Sequence, residues 1–143
     1  MSIKGNDNDS GSYTIEDSID AAILAGCTAI TGDLTVQADG PTTLDLPVLA
    51  SVSGFLSIEY NATLTTLDLP VLASVSGFLS VSHNATLTAL DLPVLASLGD
   101  NLFIEDNANL PTCEADALRD QLLAAGFTGY VSISGNDDSG ACP

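Results

Sequence analysis

Asp45, Asp68 and Asp91 recur at 23-residue intervals, each inside the phrase Leu-Asp-Leu-Pro-Val-Leu. Equal spacing in a repetitive chain puts the three carboxylates in one column. Neighbours in such a column repel by about 1 kcal/mol in water, and by more when partly buried. They must be solvated, hydrogen-bonded to the backbone, or shared with a cation. Oxygen-rich sites suit calcium. No complete calcium loop accompanies these three, so solvation or backbone capping is expected, with no cofactor; calcium is the alternative.

A second set occupies equivalent places in successive phrases: Ser57, Glu59 and Tyr60, then Ser82 and His83, then Phe103, Glu105 and Asp106. These residue types suit binding better than catalysis. His83 is the only histidine, and no nucleophile–base pair can be assembled around it. No glycine-rich phosphate loop follows a strand pattern. The chain therefore reads as a non-enzyme. Cys27, Cys113 and Cys142 form no CxxC pair or Cys/His cluster, which argues against zinc. Their odd number leaves at least one thiol without a partner in the chain. Asn6, Asn8, Ser10, Gly11 and Asp17 have a weak likeness to EF-hand spacing and read as ordinary turn residues. Asn61-Ala62-Thr63 and Asn84-Ala85-Thr86 match a glycosylation acceptor, but a structural turn role is expected for both asparagines.

What must position these residues is one phrase written three times: Thr42–Leu64, Thr65–Leu87 and Thr88–Leu110. A fixed period of this length predicts stacked coils. Leu56-x-Ile58-x-x-Asn61, Leu79-x-Val81-x-x-Asn84 and Leu102-x-Ile104-x-x-Asn107 are the LxLxxN core of a leucine-rich repeat. Leu34-x-Val36-x-x-Asp39 opens the series with Asp for Asn. Alternation sends Leu56 and Ile58 inward and Ser57 and Glu59 outward. The Asn side chain is expected to satisfy backbone groups left over at the turn. Leu67 and Leu69 alternate again, which predicts a second short strand around residues 66–69, stopped by Pro70. No coil can bury its aliphatic side chains alone. Stacking at roughly 4.8 Å makes them a continuous core.

Both ends should be capped. Thr14 with Asp17 predicts a helix start and Gly26 its stop, with Ile15, Ile19, Ala22 and Ile23 on one face. A second helix is predicted over residues 114–125, with Leu118, Leu122 and Ala125 inward. Met1–Asn6 (MSIKGN) matches Val131–Asn136 (VSISGN). One parallel sheet with strands near residues 3, 35, 57, 80, 103 and 132 follows. The chain is one domain: 1–33 strand, loop and capping helix; 34–110 coils; 111–143 helix, last strand and tail.

Nineteen Asp and Glu stand against two Lys and Arg among 143 residues, a net charge of −17. Nucleic acid and anionic membranes are excluded as partners, because both need basic side chains to displace counterions. No apolar run reaches the roughly 20 residues of a membrane span. No basic segment followed by an apolar one opens the chain, so no signal peptide is expected within it.

Residues 27–36 (CTAITGDLTV), the LDLPVLASVSG phrases, and Asn109–Cys113 followed by a helix and GFTGYVSISGN resemble the receptor L-domain family in its bacterial surface and secreted form. The likeness spans about residues 13–142. It implies a mainly β solenoid, a right-handed parallel β-helix of leucine-rich-repeat type. It also implies an extracellular or cell-surface setting, a Cys113–Cys142 disulfide and a binding role. Near-identical repeats and short length depart from the family's receptors, so receptor activity is not implied.

The first two phrases differ only at Ile58/Val81, Glu59/Ser82 and Tyr60/His83. Phe103 stands where the others have Ser57 and Ser80. Variation gathered on one outward face fits a ligand-reading surface; drift at positions unconstrained by the core is the plainer alternative. The leading reading is an adhesion or recognition module that binds a protein or glycan through this face. The second is a structural protein that assembles with itself, head to tail, through its related ends.

Overall fold

A computed structural model describes residues 2–3, 12–16, 24, 26–38 and 42–140. The chain is mainly parallel β, wound into a solenoid of about 4 turns. A full coil lays one strand on each of three sheets. The five-stranded sheet holds β1 (Ser2–Ile3), β3 (Ala29–Ile30), β6 (Ser51–Val52), β9 (Ser74–Val75) and β12 (Ser97–Leu98). The six-stranded sheet holds, in spatial order, β2 (Tyr13–Ile15), β4 (Leu34–Ala38), β7 (Leu56–Asn61), β10 (Leu79–Ser82), β13 (Leu102–Glu105) and β14 (Val131–Ser134). The three-stranded sheet holds β5 (Thr43–Asp45), β8 (Thr66–Asp68) and β11 (Ala89–Asp91).

Register follows the repeat. Leu56, Leu79 and Leu102 align, as do Ile58, Val81 and Ile104. These columns are fully buried, with Leu67, Leu69, Leu72 and Val75 on the other sides of the prism. The repeated aliphatic phrase thus becomes one core.

Three expectations are corrected. Ser2–Ile3 pairs with Ala29–Ile30 in the five-stranded sheet, not beside the strand type of Val131–Ser134. The sixth strand of the main sheet is instead Tyr13–Ile15, paired with Leu34–Val36. Thr14 and Ile15 are therefore strand residues and not the start of a helix. Tyr13 and Ile15 alternate 21 residues before Leu34 and Val36, but the helical spacing of Ile15 with Ile19 hides that strand. The rest of the first predicted helix, residues 17–23 and 25, lies outside the described residues, as do Asn6, Asn8, Ser10, Gly11 and Cys142. Thirdly, the one sheet expected has beside it a five-stranded sheet, whose two-residue Ser-Val and Ser-Leu strands are too short to give a periodic signal.

Among the described residues there is one α-helix segment of several turns, α1 (Thr112–Ala124), burying Ala115, Leu118 and Leu122. Ala125 ends it and is exposed, so it is no part of the apolar face. Gln121 Nε2 donates to the carbonyls of Leu92 (2.9 Å) and Leu95 (2.7 Å). Glu114 Oε1 accepts from the Leu90 N–H at 3.3 Å. The helix thus satisfies backbone groups of the last full coil, beside the outer strand of the three-stranded sheet. No helix among the described residues is long and apolar enough to cross a membrane.

Candidate functional site

The site begins with the turn that ends each strand of the six-stranded sheet. Here the asparagines form a ladder. Asn84 Oδ1 accepts from Asn61 N–H (3.1 Å) and Nδ2 (2.8 Å). Asn107 Oδ1 accepts from Asn84 N–H (3.1 Å) and Nδ2 (3.1 Å). Asn136 Oδ1 accepts from Asn107 N–H (3.2 Å) and Nδ2 (3.0 Å). Each amide also donates backward, as Asn84 Nδ2 does to the Ile58 carbonyl at 2.8 Å. Asn61, Asn84 and Asn107 are fully buried. A glycan on Asn61 or Asn84 would have to break this ladder.

The first rung is missing. β4 carries one residue fewer at its end, so Ala38, and not Asp39, stands opposite Asn61. Asn61 Oδ1 is buried without a hydrogen-bond partner among the described residues. Asp39 itself lies outside the described residues.

Immediately before each ladder asparagine the backbone is left-handed: Tyr60 (φ 59°), His83 (φ 56°), Asp106 (φ 57°) and Gly135 (φ 70°). This conformation throws the first three side chains outward in a row. The Tyr60 and His83 rings stack at 4.5 Å and 11°. His83 Nε2 lies 3.4 Å from Asp106 Oδ2. Tyr60 is 64% exposed. The structure thus brings Tyr60, His83 and Asp106 into one contiguous strip. Left-handed backbone costs an L-residue roughly 1–2 kcal/mol.

Beside the strip lies the outward strand face. Glu59 Oε2 accepts from Ser80 Oγ (2.6 Å) and Ser82 Oγ (3.1 Å), and Glu105 Oε2 accepts from Ser132 Oγ. Ser57 and Ser82 point outward but are buried, against expectation. Their short side chains lie between strands only one coil apart and below longer neighbours, so little of them reaches solvent. Glu59 and Glu105 are half-buried and tethered to serines.

Sequence reasoning missed the aromatic file along this face. Phe55 and Phe78 stack at 4.6 Å and 8°. Phe78 meets Phe103 edge-on at 6.3 Å, and Phe103 meets Tyr130 at 6.3 Å. Gly77, just before Phe78, lies close against the preceding coil: a Cβ there would stand 2.9 Å from the Phe55 nitrogen. In the third coil Asn101 replaces the corner aromatic, and its Oδ1 accepts from the Tyr130 N–H at 3.1 Å. Phe103, two residues on, fills the gap. The signal lay in the sequence as an aromatic lost at Asn101 and regained at Phe103.

Asp45, Asp68 and Asp91 do stack in register on the three-stranded sheet. Burial holds the Asp68 carboxyl above its ordinary value, and the charges of Asp45 and Asp91 and a hydrogen bond to Asp91 add to this. Asp68 Oδ1 is buried without a partner among the described residues. No group of three or more His, Cys, Asp or Glu among those residues is placed to hold a metal ion. Cys27 is fully buried, and burial pushes its thiol up, the reverse of an activated nucleophile. Cys113 Sγ lies 3.9 Å from the Gly140 carbonyl oxygen. A cleft of ≈ 230 Å³ separates α1 from β11; of its polar side chains, Glu114 and Gln121 are committed to backbone and Asp91 belongs to the acidic column.

No family model matches the chain, and no curated protein matches it significantly. Its class is read from geometry alone: a parallel β-solenoid with one outward face that is aromatic along one margin and strained along the other.

Proposed function

We propose that the protein is a non-enzymatic recognition or adhesion module that binds through the outward face of the six-stranded sheet. The observation that carries this reading is the unbroken aromatic file from Phe55 to Tyr130, beside the strip of Tyr60, His83 and Asp106. Aromatic rings in contiguous, half-exposed positions are typical anchors of binding surfaces. A protein ligand fits better than a glycan. The facing sides of the Phe55 and Phe78 rings are spent on each other, so the pair offers edges rather than open platforms. Glu59 and Glu105 add negative charge beside the rings, which suits a partner bearing Arg or Lys. The reading needs no cofactor.

The resemblance to receptor L domains brings a right-handed coil, a secreted or surface setting and a Cys113–Cys142 disulfide to this proposal. The closeness of Cys113 Sγ to Gly140, two residues before Cys142, supports that pairing. Head-to-tail assembly is the second reading. It loses its original premise, because Ser2–Ile3 does not occupy the place that matches β14.

Cell adhesion by beads carrying the chain, before and after Phe103→Ala with Tyr60→Ala, tests the strand face. Adhesion should fall at least tenfold with the far-UV spectrum intact. Unchanged adhesion would sink the proposal.

A further inference from the structure

The two ends of the six-stranded sheet are finished differently. The same two inward columns run through all its strands. At β2 they are closed, with Tyr13 5% and Ile15 0% exposed. They stay buried through β4, β7, β10 and β13. At β14, Val131 and Ile133 are only partly buried. β14 pairs with β13 on one side, and no strand among the described residues pairs on the other. An open strand edge is a template for a further strand, and proteins usually guard it with Lys, Pro or a bulge. Val131-Ser132-Ile133-Ser134 carries none of these. Tyr130, just before it, is 63% exposed.

We propose that β14 docks against β14 of a second copy, forming a tail-to-tail two-fold dimer with a continuous sheet. Self-complementarity selects this occupant. In an antiparallel pair, residues directly opposite present their side chains to the same face. A pairing centred on Ser132 sets Val131 against Ile133 of the second copy and Ser132 against Ser132. Inward apolar residues then meet inward apolar residues, and hydroxyls meet hydroxyls. A slip by one residue would oppose inward and outward side chains, which excludes every odd register. The strand is uncharged, which lets two chains of net charge −17 approach there with the least local repulsion. The remaining repulsion is long-range and is screened by salt. A two-fold contact covers both open edges at once, whereas a head-to-tail contact would set an open edge against the closed columns of β2.

Sedimentation equilibrium of the full chain over a series of NaCl concentrations tests this. The expected result is a monomer–dimer equilibrium that tightens as salt rises. Ser132→Lys should weaken it at least about tenfold, because two lysines then face each other across the axis; Ser134→Lys, which sets a charge against the exposed ring of Tyr130 in the second copy, should weaken it less. Both positions point away from the core, and unchanged far-UV spectra would show that the variants fold. Three results would overturn the proposal: a monomer at every salt concentration up to about 1 mM chain; species that grow past the dimer, which means head-to-tail stacking; or a dimer indifferent to both substitutions, which means another surface.

Discussion

Two residues stand side by side in each turn and follow opposite rules. One column is Asn61, Asn84, Asn107 and Asn136: one residue type, turned inward and bonded rung to rung. The other is Tyr60, His83, Asp106 and Gly135: four residue types, sharing only a left-handed backbone. Hydrogen-bond geometry dictates the first column, because each amide must both donate and accept at fixed places inside the stack. The second column is constrained only in φ. Glycine meets that constraint without strain and is used once, at Gly135. A tyrosine at Tyr60 is a poor choice for stability, so its ring is better explained by what it presents to solvent.

Substitutions can break that contrast, and the largest effect belongs to the inner column. Asn84→Ala removes a rung with partners on both sides and leaves buried groups of Asn61 and Ile58 unpaired, so a loss of about 3 kcal/mol is expected in urea denaturation. Asn61→Ala should cost less, about 1–2 kcal/mol, because its Oδ1 has no partner to lose among the described residues. Equal losses at the two sites would mean that the missing rung is filled. In the outer column the sign reverses. Tyr60→Gly should raise stability by roughly 0.5–1 kcal/mol, relief of backbone strain exceeding the loss of an exposed ring stack, while weakening adhesion. A clear drop in stability would make Tyr60 a structural residue after all.

The smallest effect lies on the acidic column. The folded-state value of Asp68 is raised above the ordinary 3.8, so the fold disfavours its ionised form. At neutral pH this penalty is fully present. As pH falls through the raised value, the folded chain takes up the proton before the unfolded chain does, and stability contributed by this group rises until pH passes below 3.8. Asp68→Asn should remove that increment and make the protein slightly more stable at pH 7. A comparison of thermal midpoints at pH 7 and pH 4 for both proteins checks the direction. An Asp68→Asn protein less stable at pH 7 would show that the carboxylate holds something the fold needs.

The repeat made much of this molecule legible. Leu56, Ile58, Leu67, Leu69 and Leu72 are apolar at fixed spacing, and Asn61 breaks the run at the same place each time, so period, inward columns and turn follow from residue type. The surface was less legible. Alternation gives Ser57 and Ser82 their outward direction but not their cover: both are buried. The file through Phe103 crosses between columns, which a column-by-column reading does not see. The N-terminal unit was misplaced because Ile15 fits both a strand and a helix period, and partner strands alone decide between them.

The sequence by itself determined that the chain stacks in 23-residue coils, that aliphatic columns fill it and that asparagine closes one corner. Those are properties of spacing and side-chain type, repeated until alternatives fall away. The tertiary structure decided which residues meet across coils: the pairing of Tyr60 with His83 and His83 with Asp106, the loss of a rung at Ala38, and the unequal finish of β2 and β14. Such contacts depend on register between strands a full coil apart, and a single deleted residue in β4 is enough to change it.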